Sequence, residues 1–442
     1  MLARALLFLV FLAMLAGAYW AGDHWAEPDD AAARVETGWH VPLQQPDRIV
    51  LTWAGDPAAT QAVTWRTSVD VPSGVGQIAV SEDGPDFRDK HRSVQATTER
   101  LETDQGEAHY HSVRFTDLEP DTMYVYRVGD GAEEGGVWSE WNQFRTPKSE
   151  TAPLTFLYVG DAQNELYSFW SRLVRQSYLS APDAAFYIHA GDLVNTANRD
   201  AEWGEWLKAS GWIHRMLTAV PTPGNHEYAK QETGPRTLSE HWRPQFTLPE
   251  NGPDGLADTA ETAYWFDIQG VRVVVLNSNR EQEAQAEWLH EVLADNPNRW
   301  TVVTHHHPIF SASEGRDNPE LRALWQPIYD QYGVDLVMTG HDHTYARSNL
   351  VSGASVQEGP AGTVYVVSVS GPKMYEVDRE DWMVRAAERT QLFQAVTIDG
   401  DELLFSSYTA RGELYDRFRL RKRPGGPNEL INEIPETPER LP

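Results

Sequence analysis

Five apolar runs in the second part of the chain each run out into a cluster led by glycine or histidine. Leu154–Val159 leads to Gly160-Asp161, residues 185–188 to Gly191-Asp192, and residues 220–223 to Gly224-Asn225-His226-Glu227. Residues 300–303 lead to His305-His306-His307-Pro308, and residues 334–338 to Gly340-His341-Asp342-His343. Between them, residues 169–179, 201–217, 282–293 and 319–332 carry the spacing of amphipathic helices. Strands alternating with helices predict a layered α/β domain, and the carboxyl ends of its parallel strands share one edge, where such sheets bind ligands. One Gly-Asp makes an ordinary turn. Five ends in this order gather Asp, Asn and His at one place.

The residue types dictate the chemistry. The chain has no cysteine, which excludes thiolate metal sites, disulfides and a cysteine nucleophile. Carboxylates, amides and imidazoles without thiolate suit Zn, Fe or Mn. A shared carboxylate can join two such ions about 3.5–4 Å apart, a pair that activates water and stabilises a leaving oxygen. The formal net charge is −28, so a nucleic-acid duplex is excluded as a partner, and an anionic substrate needs a local source of positive charge. Two divalent cations would supply it.

The first part of the chain has a different texture. Short alternating or β-branched runs at residues 48–53, 61–65, 76–80, 111–115, 124–128 and 143–145 predict a β-sandwich over residues 47–147. Within it, Leu118-Glu119-Pro120-Asp121-Thr122 followed by Tyr124-x-Tyr126-x-Val128 resembles the fibronectin type III family. Residues 147–153 read as a linker, 153–420 as the α/β domain and 421–442 as a loose tail. Ahead of the sandwich, Arg4 precedes an unbroken apolar run at residues 5–16, and Ala16-Gly17-Ala18 follows. Residues 1–22 thus read as a cleaved export signal or an uncleaved membrane anchor, and 23–46 as a tether. Both place the protein outside the cytoplasm, periplasmic or secreted, or held on a membrane by its N-terminus.

The motif order resembles the calcineurin-like metallophosphoesterases, and with a sandwich ahead of it the chain resembles the purple acid phosphatases across residues 45–420. That resemblance implies a dinuclear centre of divalent Fe, Mn or Zn. It places Asp161 and His343 on the first metal, Asp192 between the two, and Asn225, His306 and His341 on the second. His306 is chosen over His305 because Pro308 follows it by two, as in the family; His307 then points the other way, toward substrate or core. The implied proton donor or phosphate contact is His226, with His307 the second catalytic candidate. Asn225, Arg316 and Tyr345 join His226 as substrate contacts, and Arg347 shares a Thr-Tyr-x-Arg run with Tyr345. Two positions depart from the family: Gln163 and Asn195 stand where the purple enzymes have Gly and Tyr. A neutral amide, from Asn195 or Gln163, would complete the first metal's ligands. The implied function is an exported phosphohydrolase acting on phosphate monoesters of small molecules. The alternatives are a phosphodiesterase or nucleotidase with the same core, or a surface binding protein with a degenerate metal site.

Overall fold

A computed structural model describes residues 40–132, 134–257, 259–353 and 362–441, almost all within one compact unit, Pro42–Pro442. Residues 1–22, read as an export signal or a membrane anchor, and most of the tether read over 23–46 lie outside the described residues. Among the described residues, no helix is long and apolar enough to cross a membrane.

The first eight strands, β1 (Asp47–Thr52), β2 (Gln61–Ser68), β3 (Val75–Val80), β4 (Arg92–Gln95), β5 (Thr97–Thr103), β6 (Gly106–Phe115), β7 (Met123–Gly129) and β8 (Asn142–Arg145), form a sandwich. Its two antiparallel sheets run β1-β2-β6-β5 and β4-β3-β7-β8. Trp65, Val113, Phe115, Tyr126 and Phe144 fill the space between them. The corner before β7 is pinned where the Glu119 backbone N–H donates to the Tyr124 hydroxyl at 2.8 Å, as at a tyrosine corner. β1 has two buried faces. Ile49 and Leu51 enter the sandwich core, while Val50 and the following Trp53 pack into the core of the next domain. Strand alternation allows this only for a strand covered on both sides.

The α/β domain stacks two seven-stranded sheets. β9 (Leu154–Val159), β10 (Phe186–His189) and β11 (Thr218–Pro221) lie parallel in the first. After a short hairpin of two-residue strands, β12 (Tyr228–Ala229) and β13 (Thr237–Leu238), come the strands of the second sheet. These are β14 (Tyr264–Ile268), β15 (Val271–Val275), β16 (Trp300–Thr304), β17 (Leu336–Thr339), β18 (Tyr345–Val351), β19 (Thr363–Val367) and β20 (Met383–Ala387). The chain then returns to the first sheet through β21 (Leu392–Asp399), β22 (Glu402–Thr409), β23 (Leu414–Arg421) and β24 (Glu429–Asn432). In β15, Val273 and Val275 enter the core shared with the first sheet, and Val274 enters a second core. There the helices Gln282–Ala294 and Pro319–Tyr332 cover the outer face with Leu289 and Trp325. Helices Ser171–Ser180 and Asp200–Ser210 add Leu173, Val174, Trp203 and Trp206 to the first core.

Two expectations are corrected. The helix read over 201–217 stops at Ser210, because Gly211 takes a left-handed φ of 61°. Residues 421–442 are not a loose tail: β24 pairs with β23, and the backbone N–H of Glu388 donates to the carbonyl of Arg440 at 2.9 Å. The edge of the sheet is closed by the segment expected to dangle.

Candidate metal centre

Each polar cluster sits at the carboxyl end of its strand: Asp161 after β9, Asp192 after β10, Asn225 after β11, His305 to His307 after β16, His341 to His343 after β17. The turns are tight. Asp161, Asp192, His341 and His343 all take positive φ, of 48°, 51°, 74° and 51°. Such conformations are costly for residues with a Cβ and gather at functional sites. The glycines beside them are required by contact: a Cβ on Gly224 would lie 2.2 Å from Asp192 Oδ1, and one on Gly340 2.4 Å from Asp161 Oδ2.

The side chains converge. His306 Nε2 lies 3.3 Å from Asp192 Oδ1, 3.2 Å from Asn225 Oδ1 and 3.1 Å from His341 Nδ1. His343 Nε2 lies 3.6 Å from Asp161 Oδ1. One ligand atom from each of Asp161, Asp192 and His306 falls within 4.8 Å of the others, and the same holds for His306, His307 and His341. Backbone carbonyls set the tautomers: His306 donates from Nδ1 to Ala190 at 2.9 Å and His343 from Nδ1 to Lys373 at 2.9 Å. Nε2 of each is thereby turned inward, as metal-ligating histidines require.

Asp161, Asp192, His306 and His343 are almost wholly removed from water. Burial pushes the Asp161 carboxyl well above the usual range. Burial also opposes charge on Asp192, but the charge and hydrogen bond of His306 outweigh it and hold that carboxyl far below its usual range. His306 itself is pushed up to about 9, the two carboxylates overcoming its burial. Burial drives His341 down and His343 down to about 3, leaving neutral imidazoles with free lone pairs. Protons on Asp161 and His306 balance this cluster when no other cation is present, and metal ions would take the place of those protons. The residues therefore fit a pair of metal ions: Asp161 and His343 on one side, Asn225, His306 and His341 on the other, with Asp192 between.

His226 and His307 border this cluster. His226 donates from Nδ1 to the Asn195 carbonyl at 2.5 Å, and its backbone N–H donates to Asp192 Oδ1 at 2.9 Å. His307 Nδ1 is 2.8 Å from Ser278 Oγ, and its ring lies 4.3 Å from that of His341. It faces the site, so the alternative of a core position falls away. His305 is packed against Trp325 and Tyr329 instead. Arg316 is at the rim, donating to the His341 carbonyl at 2.9 Å and to Asp342 Oδ1 at 3.2 Å. Beside it, a cavity of about 680 Å³ is lined by Ser313, Met374, Tyr375 and Arg389. Asn195 enters the network through its backbone, its N–H donating to Glu202 at 2.8 Å.

Tyr345 is not a substrate contact, and Arg347 does not line the pocket. Both are fully buried between the sheets. The Tyr345 hydroxyl donates to Asp416 Oδ2 at 2.7 Å, and Arg347 grips the same carboxylate at 2.6 and 3.1 Å. Trp203 and Trp206, on the helix Asp200–Ser210, are likewise core. Sequence reasoning also passed over Glu227. Its buried carboxylate accepts backbone N–H groups from Asp192, Leu193, Val194 and Gly224 at 2.7–3.2 Å, tying two ligand loops together. The visible signal was a carboxylate directly after Asn225-His226, where no turn requires one. Tyr375, whose ring lies 4.7 Å from that of His343, had no such signal.

Residues 46–146 match the purple acid phosphatase N-terminal domain, and residues 154–345 match the calcineurin-like phosphoesterase family. The chain is 28% identical over 351 residues to an uncharacterised protein of Mycobacterium tuberculosis, a match covering 68% of this chain and 62% of that one. It is 26% identical to the phosphoenolpyruvate phosphatase of Allium cepa, over 71% of this chain and 65% of the relative. The match thus spans a little under two thirds of these relatives' lengths. Among solved structures, the purple acid phosphatase PPD1 of yellow lupin seeds superposes with a TM-score of 0.71 at 18% identity, over 85% of this chain and 74% of that one. PhoD does so with 0.65 at 13% identity, over 90% and 94%. An N-terminal sandwich, two facing sheets and five strand ends bearing Asp, Asn and His lead to the same place as these matches: residues 154–345 carry a calcineurin-like phosphoesterase domain, and the chain as a whole resembles the purple acid phosphatases.

Proposed function

We propose that the protein is an exported dinuclear-metal phosphohydrolase acting on phosphate monoesters of small molecules. The observation that carries this reading is the convergence of Asp161, Asp192, Asn225, His306, His341 and His343 on one small region, without a thiolate among them. Two bound divalent ions would polarise the phosphoryl group and acidify water to a pKa of about 7. The chain's own residues do the rest. Asp192 holds the two halves of the centre in register. His226, anchored through Nδ1 to the Asn195 carbonyl, presents Nε2 as the proton donor to the leaving oxygen. His307 and Arg316 flank the approach and orient the phosphate oxygens. Export is inferred from the apolar run at residues 5–16.

Metal analysis of the purified protein, followed by assays with aryl phosphate monoesters and diesters, tests the reading. Monoester turnover should disappear on chelation and return with Mn(II) or Zn(II). Faster diester turnover would make it a phosphodiesterase. No turnover of either ester with two metals bound would point to a binding protein.

A further inference from the structure

Gln163 stands two residues after Asp161, at the floor of the centre. Its side chain is fully buried. Nε2 donates to Asp192 Oδ2 at 2.6 Å, and its backbone N–H donates to the Asp192 carbonyl at 3.0 Å. The other end of the amide is different: Oε1 is enclosed and has no hydrogen-bond partner. An amide oxygen is an acceptor with two lone pairs, and leaving one enclosed and unmatched is costly. Asp192 already takes the donor end, so the unmatched oxygen belongs to the same small region as the two carboxylates. Asn195 lacks this signature. It is half-buried, and the structure ties it down by its backbone.

We propose that Gln163, rather than Asn195, is the further protein ligand of the first metal, binding through Oε1 while Nε2 holds the shared carboxylate in place. This rests on the dinuclear reading above. The first metal is then held by Asp161, Asp192, His343 and a neutral amide oxygen. That set carries less negative charge than one containing a phenolate, and it favours a divalent ion that accepts oxygen and imidazole ligands, such as Mn(II), Fe(II) or Zn(II).

The test is equilibrium dialysis of the full chain against Zn(II), with metal counted per chain, for the wild type and for Gln163→Met, Gln163→Glu and Asn195→Ala. Gln163→Met keeps the length of the side chain and removes both amide groups. It should bind one ion normally and the other at least about 10-fold more weakly, the least expected from losses seen even for outer-sphere partners. Asn195→Ala should bind both ions as the wild type does. Gln163→Glu keeps an oxygen ligand but sets a second carboxylate against Asp192. Its melting temperature should fall without metal and rise on Zn(II) addition by more than the wild type's. A role limited to hydrogen-bonding Asp192 predicts no such extra rise. Normal loading of Gln163→Met, loss of one ion in Asn195→Ala, or no metal-dependent recovery in Gln163→Glu would each overturn the assignment. A wild-type protein that binds fewer than two ions would overturn the dinuclear reading itself, before any variant is compared.

Discussion

Replacing His189 and His214 with phenylalanine should flatten the loss of stability this protein suffers in mild acid. The two imidazoles are sealed behind the first sheet, with ring centroids 4.9 Å apart. Trp206 lies 5.0 Å from each of them, and Tyr187 stacks on His189 at 4.9 Å. None of the four ring nitrogens has a hydrogen-bond partner. Burial drives His189 well below its ordinary value and His214 down to about 3. Both are neutral in the folded protein. The unfolded chain takes up protons below about pH 6.5, so stability is complete above that pH and falls as pH drops toward the folded values. Each group costs about 1.4 kcal/mol per pH unit once the unfolded form is charged, so the pair removes about 3 kcal/mol by pH 5.5. Urea unfolding of the metal-loaded wild type and double variant at pH 7.5 and 5.5 measures this. Any packing cost of phenylalanine cancels in the difference between the two pH values. The wild type should lose about 3 kcal/mol more than the variant, and each single variant about half of that. Equal losses in wild type and double variant would show that these histidines do not set the acid limit.

Four further outcomes follow from other parts of the structure. Asp192→Ala removes the carboxylate placed between the two ions, so metal content and turnover should fall together; two metals retained at a near-normal rate would end the argument for a shared ligand. His226→Ala should keep its metals while kcat drops roughly 10²–10⁴-fold, as for loss of a general acid; loss of metal instead would make His226 a ligand. Asp200→Asn weakens a buried network in which Asp200 accepts from Arg48 at 2.6 Å, Arg66 at 3.1 Å and His241 at 3.1 Å. It should destabilise the protein by about 3–5 kcal/mol in urea, because the Arg48 guanidinium keeps its burial and loses its carboxylate, while Arg66 retains Asp47; a change below about 1 kcal/mol would contradict that. Iron-loaded protein should be colourless in air, with a rate optimum near neutral or alkaline pH, because Gln163 and Asn195 offer no phenolate. A purple band would mean that a tyrosine such as Tyr375 joins the coordination sphere.

The cluster was legible because its Asp, Asn and His residues come in short strings tied to strand ends, so periodicity and local chemistry agree. The helix Pro319–Tyr332 was legible for the same reason: Pro opens it and Gly333, at φ 64°, closes it. What failed depended on distant partners. Tyr345 and Arg347 follow His343 and share one face of β18, but that face meets Asp416, about seventy residues on, in the other sheet. Adjacency to a ligand could not reveal this. β4 and β5 went unread because they are mostly exposed and polar, held by pairing rather than by pattern. β24 was missed because four residues after a Pro-Gly-Gly-Pro run carry too little periodicity to stand out. Glu227 was in view but assigned nothing, because its work is to bind backbone amides in a neighbouring loop.

The two buried faces of β1 bear on the timing of synthesis. The sandwich strands are complete by Arg145, but Thr52 is completed as a partner only when its hydroxyl can donate to the Thr247 carbonyl, 195 residues later. Trp53 waits still longer for Phe266, whose ring it meets at 5.3 Å. At 5–20 residues per second, the interval between Arg145 and Thr247 is roughly 5–20 s. During it the nascent sandwich carries an incompletely covered tryptophan on a finished strand, and for the first part of it, until Asp200 emerges, Arg48 lacks that carboxylate. The growing chain therefore passes through a stage with a sticky, cationic flank, and a holding chaperone or a slow translocation step would have its greatest effect there.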